Sequence, residues 1–116
     1  MRVENIMSPA VVTVTAATTI GEARRLLRTR DIHHLIVADR KRVIGALSAT
    51  DLARAADDHA VSEVMRRKVS CVERSASVRE AAALMSGNGV GCLPVVADGA
   101  LCGIVTTADL LRAIST

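Results

Sequence analysis

Apolar positions along the chain change their period in a fixed order, and the order occurs twice. VVTV (11–14) and VSCV (69–72) are short β-rich runs of strand length. Helical spacing follows each: Ile20, Ala23, Leu26 and Leu27 fall on one face of TIGEARRLLRT, as do Val78, Ala81, Leu84 and Met85 in SVREAAALMSG. Thr19 with Glu22, and Ser77 with Glu80, have capping-box spacing and mark both helix starts. HLIVA and CLPVVA then read as strands. The polar turns DRKR and DGA lead from them into VIGALS and LCGIVT, so each half predicts a hairpin, with Asp98-Gly99 the stronger turn signal. Second helices are expected over about 49–57 and about 107–114.

GALSATDLA (45–53) lies on GIVTTADLL (103–111) without a gap, at an offset of 58 residues, half of the 116-residue chain. The same offset pairs Met7 with Met65, Val14 with Val72, Glu22 with Glu80, Leu35 with Leu93 and Arg54 with Arg112. The chain is a tandem duplication, with repeats 1–58 and 59–116. A unit of this size buries its apolar face against its copy. With half of its residues apolar, the chain can bury a core, and one core common to both repeats is expected.

Composition removes several classes of function. No apolar run approaches the roughly 18 residues of a membrane span, and the N-terminal MRVENIMSPA lacks a secretion signal, so a soluble cytoplasmic protein is expected. Cys71, Cys92 and Cys102 are odd in number and lack C-x-x-C spacing, which argues for reduced, buried thiols and against a disulfide framework or zinc. The net charge is +3, and basic residues cluster only at DRKR and at RRK (66–68). Without a dense basic face, and without any Phe, Tyr or Trp to stack bases, the chain does not read as a nucleic-acid binder.

Ser48-x-x-Asp51 and Thr106-x-x-Asp109 sit where a strand hands over to a helix. One reading is a second pair of capping boxes, hydroxyl at N-cap and carboxylate at N3. The other starts from the same geometry. A helix N-terminus offers unpaired N–H groups that attract phosphate, and a carboxylate one turn on can accept both hydroxyls of a ribose. Phosphate beside Ser or Thr and ribose on Asp together describe a nucleotide.

These units, following HHLIVAD or GCLPVVAD and preceded by a capped helix, resemble the CBS domain, named after cystathionine β-synthase. Two copies in one chain resemble a CBS pair, here a stand-alone module. The second repeat matches more closely, with Leu93-Pro94-Val95-Val96 and Gly103-Ile104-Val105-Thr106 as the family writes them; the first has Ile36 in place of the proline and Ala46 in place of a larger aliphatic. The resemblance implies an α+β fold of tandem β-α-β-β-α repeats with pseudo-twofold symmetry, two small sheets packed together and helices outside. It also implies clefts between the repeats that bind AMP, ADP, ATP or a related adenosyl ligand. Carried over, Thr106 and Asp109 would work with Val12, Ile32 and His33, which hold the base, and Ser48 and Asp51 with Ser70, Val90 and Gly91.

His33 and His34 are adjacent, so on a strand they point to opposite faces and cannot chelate one metal together. Arg66, Arg67 and Lys68 read either as a solvated stretch or as cations that neutralise phosphate. No paired carboxylates or histidine cluster accompany Ser48 or Thr106, so neither a catalytic nor a metal site is expected. The reading is a non-catalytic regulatory module with no obligatory cofactor, forming a homodimer and signalling to a separate effector protein. The competing readings are a purely structural dimerisation module with empty clefts and a nucleotide hydrolase.

Overall fold

A computed structural model describes residues 1–115. The chain divides into two units: Val12–Val69, and Met1–Val11 together with Ser70–Thr116. The first contains β1 (Thr13–Val14), α1 (Ile20–Thr29), β2 (His34–Asp39), β3 (Arg42–Ser48), α2 (Ala49–Leu52) and a 3₁₀ turn at Val61–Glu63. The second contains a 3₁₀ turn at Val3–Asn5, then β4 (Val72–Glu73), α3 (Val78–Asn88), β5 (Cys92–Ala97), β6 (Ala100–Thr106) and α4 (Thr107–Ser115). In each unit a short strand pairs parallel with the first strand of a hairpin, in the orders β1-β2-β3 and β4-β5-β6. The class is α+β, with two small mixed sheets and four α-helices among the described residues.

Local chemistry accounts for these elements. Thr19 Oγ1 accepts the Glu22 N–H at 3.2 Å, and Ser77 Oγ accepts that of Glu80 at 3.0 Å, so both predicted helix starts are capped. Both hairpins turn through two residues of positive φ, Arg40 and Lys41 in one and Asp98 and Gly99 in the other. Two such residues form the tight turn whose twist matches its strands. Each hairpin also carries a bulge. The pairing steps from Ala38↔Val43 to Val37↔Gly45, and from Val96↔Leu101 to Val95↔Gly103.

Each unit has its own cluster of buried apolar residues. Leu35, Val37 and Leu47 are central to the first, and Leu93, Val95 and Val105 to the second. Several expectations need correction. The strands expected at 11–14 and 69–72 pair only over Thr13–Val14 and Val72–Glu73. The helix expected to reach about residue 57 ends at Leu52. Arg24 holds the chain at and beyond this end, its Nη2 donating to Leu52 O, the last carbonyl of α2, at 2.6 Å and to Ala55 O at 2.7 Å while its Nη1 pairs with Asp57. Two consecutive acids, Asp57 and Asp58, would also oppose the negative end of a longer helix. The second repeat has Ala82 in place of Arg24 and no acids after Asp109, and its α4 continues to Ser115.

The units do not follow the repeat boundaries, because each is completed by a lead segment from the other repeat. Met1–Val11 packs in the second unit, where Val3 is fully buried and donates to Ala76 O, Glu4 donates to Arg74 O, and Ser8 and Ile104 exchange backbone hydrogen bonds of 2.8 and 2.9 Å. The segment before Val69 does the same in the first unit, where Arg66 and Ala46 exchange bonds of 2.8 and 3.0 Å. Glycine permits this approach. A Cβ on Gly103 would lie 2.6 Å from Met7 Sδ and 3.0 Å from Ser8 O, and one on Gly45 would lie 2.5 Å from Met65 Sδ and 3.1 Å from Arg66 O. Gly103→Ala should therefore cost about 1–3 kcal/mol of stability. Gly87→Ala, within α3 and with nothing inside 4 Å of the added carbon, should gain about 0.5–1 kcal/mol. Thermal denaturation of the two variants beside the parent reads both signs.

Candidate functional site

The handover from β6 to α4 brings Thr106 and Asp109 together. Thr106 donates to Asp109 Oδ2 twice, from its backbone N–H at 2.8 Å and from Oγ1 at 3.0 Å, and Oγ1 accepts the Asp109 N–H at 3.3 Å. Arg112 Nη2 donates to Asp109 Oδ1. Asp109 is the one buried charged side chain among the described residues, 7% exposed. Burial of a carboxylate at this depth requires such partners. At the handover from β3 to α2, Ser48 donates to Asp51 Oδ2 from its N–H at 2.8 Å and from Oγ at 3.1 Å. Arg66 Nε donates to Asp51 Oδ1 at 3.4 Å.

The hydroxyl–acid pairs thus form the local contacts of a cap. That leaves chemistry available, since each carboxylate oxygen offers two lone-pair sites. Oδ2 is committed to the preceding Ser or Thr, whereas Oδ1 meets only an arginine whose side chain is more than half exposed. The partly exposed Arg66–Asp51 pair contributes at most about 1 kcal/mol. A hydroxyl donor can displace or share it.

The other expected site residues distribute as follows. Val12 and Ile32 are half-buried against the core of the first unit, and His33 is exposed. Val90 packs against the second core and Ser70 is half-buried. The carbonyl of Gly91 accepts both the N–H of Thr107 at 3.0 Å and its hydroxyl at 3.2 Å, tying the entry of β5 to the start of α4. Of the three basic residues at 66–68, only Arg66 reaches a motif acid. Arg67 donates to Ser62 O at 3.0 Å, and Lys68 is exposed.

Sequence reasoning missed His34. It lies opposite Ser48 across the β2–β3 pair and is half-buried. Burial lowers its pKa, the charges of His33 and Arg66 lower it further, and Asp51 opposes them. Burial pushes the Cys71 thiol up, away from nucleophilic character. Among the described residues no group of His, Cys, Asp and Glu could hold a metal, and no helix is long and apolar enough to cross a membrane.

With this geometry in view, comparison with known proteins is specific. The CBS domain family model matches residues 3–58 and 61–116. The chain belongs to the CBS-domain family, as a tandem pair. It is 31% identical over 118 residues to the uncharacterized protein MJ1232 of Methanocaldococcus jannaschii, covering 99% of this chain and 40% of that protein. The solved CBS domain pair of protein MJ0100, in complex with 5′-methylthioadenosine and S-adenosyl-L-methionine, is 28% identical. It superposes with a TM-score of 0.90, covering 99% of this chain and 96% of that one. The cytosolic domain of the Mg2+ channel MgtE in complex with ATP is 34% identical, with a TM-score of 0.87 over 97% of this chain and 48% of that one.

His34 gives this region a pH dependence. Its folded-state pKa lies below the ordinary 6.5, so between the lowered value and 6.5 the unfolded chain binds the extra proton. The contribution to stability is fully present above 6.5 and is lost as the pH falls through that window. The melting temperature should drop between about pH 7.5 and about pH 5.5. In His34→Gln the drop should be smaller; an unchanged drop would place the effect on other groups.

Proposed function

We propose that this chain is a non-catalytic regulatory module that binds an adenosine nucleotide or related adenosyl ligand. In this reading Thr106 and Ser48 meet phosphate, and Asp109 and Asp51 accept the ribose hydroxyls. Val12, Ile32 and His33 hold the base for the first pair, and Ser70, Val90 and Gly91 for the second. The observation that carries it is the carboxylate held against a strand-end hydroxyl in both repeats, with one oxygen left to an exposed, replaceable arginine. Related pairs that hold ATP, S-adenosyl-L-methionine or 5′-methylthioadenosine support the ligand class. ATP, ADP and AMP are the ligands to test. The signal would pass to a separate effector protein.

The chain has no Trp or Tyr. Adenine carried through purification therefore appears as a 260 nm band almost free of protein background. Asp109→Ala removes a charged acceptor, which contributes about 1.5–3 kcal/mol, so calorimetric titration should give an affinity roughly ten- to a hundredfold weaker. Unchanged affinity with a large loss of thermal stability would leave the carboxylate as a cap alone. Failure of AMP, ADP, ATP and S-adenosyl-L-methionine to bind the parent protein would favour a purely structural module.

We also propose a homodimer. On α4, Leu110 turns inward while Leu111 and Ile114, one turn apart, are 59% and 77% exposed. Light scattering should report two chains for the parent protein and one for Leu111→Glu/Ile114→Glu. A parent monomer at micromolar concentration would refute the assembly.

A further inference from the structure

Around the two motifs the backbone geometry repeats, but the charges do not. Three positions decide this. The residue opposite the hydroxyl across the hairpin is His34 for Ser48 and Cys92 for Thr106. The lead-segment residue bridged two places before the hydroxyl is Arg66, on Ala46, in one unit and Ser8, on Ile104, in the other. The arginine that meets the acid is Arg66 for Asp51 but Arg112 for Asp109. Arg112 lies three residues further along α4, so it meets Asp109 from within the same helix and not from a lead segment. Arg66 is anchored by two backbone hydrogen bonds beside the hydroxyl end, where it can leave Asp51 for a phosphate at Ser48 without the chain moving.

We propose that the Ser48/Asp51 motif selects nucleosides bearing several phosphates, with Arg66 and His34 as its specificity-determining residues, while the Thr106/Asp109 motif takes nucleosides with one phosphate or none. The inference rests on the nucleotide-binding function proposed above and adds which ligand each motif takes. Guanidinium and imidazole both donate to phosphate oxygens, and each further phosphate adds acceptors for them. Cys92 and Ser8 bring no charge to the corresponding positions. The long-range field agrees. Val12–Val69 carries eleven Lys and Arg against seven Asp and Glu, whereas the remainder carries four against five.

The test is calorimetric titration of ATP, AMP and adenosine, without divalent cations, into variants that retain one motif. Asp109→Ala, which leaves Ser48/Asp51, should prefer ATP to AMP by about tenfold, and Asp51→Ala should show a ratio near one. Within Asp109→Ala, Arg66→Gln should lower the ATP-to-AMP ratio about three- to tenfold, costing ATP more than adenosine. His34→Gln should lower the ratio less, and Lys41→Gln, which removes the same unit of charge as Arg66→Gln but at the exposed hairpin tip, should leave it unchanged. Within Asp51→Ala, Ser8→Arg should raise the ratio. Arg66→Gln alone in the parent protein should remove the stronger phase of ATP binding, a readout that does not depend on the buried Asp109 being replaceable. Equal ratios in the two single-motif variants, or a ratio indifferent to Arg66→Gln, would overturn the selectivity and leave nucleotide binding standing. No binding of any adenosine ligand to the parent would overturn the function, and the selectivity with it.

Discussion

The closest constraint in the molecule is the approach of a lead segment to the last strand of each sheet. At Ser8·Ile104 and Arg66·Ala46 two backbones exchange hydrogen bonds directly over a glycine, with a methionine sulfur where a Cβ would be. A buried backbone N–H or C=O left unpaired costs about as much as a lost hydrogen bond, so these bridges fix the register of the segment as well as its position. Fixed register is what sets Arg66 within reach of Asp51, and what places uncharged Ser8 at the matching point in the other unit. The same segments close the cores, since Val3 and Val61 are both fully buried. Stability and the chemistry of the motifs therefore hang on one contact type.

Capping and ligand binding need not compete for the motif acids. In each repeat one oxygen of the carboxylate organises the helix start by accepting the N–H and hydroxyl of the preceding Ser or Thr. The same geometry leaves the second oxygen to an arginine that solvent already reaches. A preorganised acceptor whose resident partner is weakly held loses little when that partner is exchanged. On the proposed function, capping and nucleotide binding would use two oxygens of one side chain.

Much of this was legible in the sequence because it rests on local rules. The caps at Thr19 and Ser77, the faces of α1 and α3, both hairpins and the duplication all follow from spacings of a few residues or from one fixed offset. What was not legible depends on contacts between distant residues. The last carbonyl of α2 is bound by Arg24, 28 residues before Leu52. The exchange of lead segments leaves no periodic trace, because Met1–Val11 and the stretch before Val69 are short and irregular. His34 was hidden by the bulge. A regular ladder counted outward from the Arg40-Lys41 turn would set it against Leu47, and the extra residue in β3 moves it to Ser48. The second repeat resembles its family more closely, whereas the first holds the more heavily charged motif.

That exchange changes how the two repeats can diverge. Arg66 belongs by sequence to the second repeat yet serves the motif of the first, and Ser8 belongs to the first yet lies beside the motif of the second. A substitution in one lead segment therefore alters the neighbouring motif of the other repeat while leaving its own strand, hydroxyl and acid untouched. The glycine that admits the segment needs only its backbone and the methionine before it, so the next side chain is free to vary. An arginine there costs the fold little, because the guanidinium lies in part in solvent and pairs with an acid the cap already requires. A duplicated scaffold of this kind can hold its geometry constant and still place different charge at its two motifs, since the residues that set the charge are not the residues that set the fold.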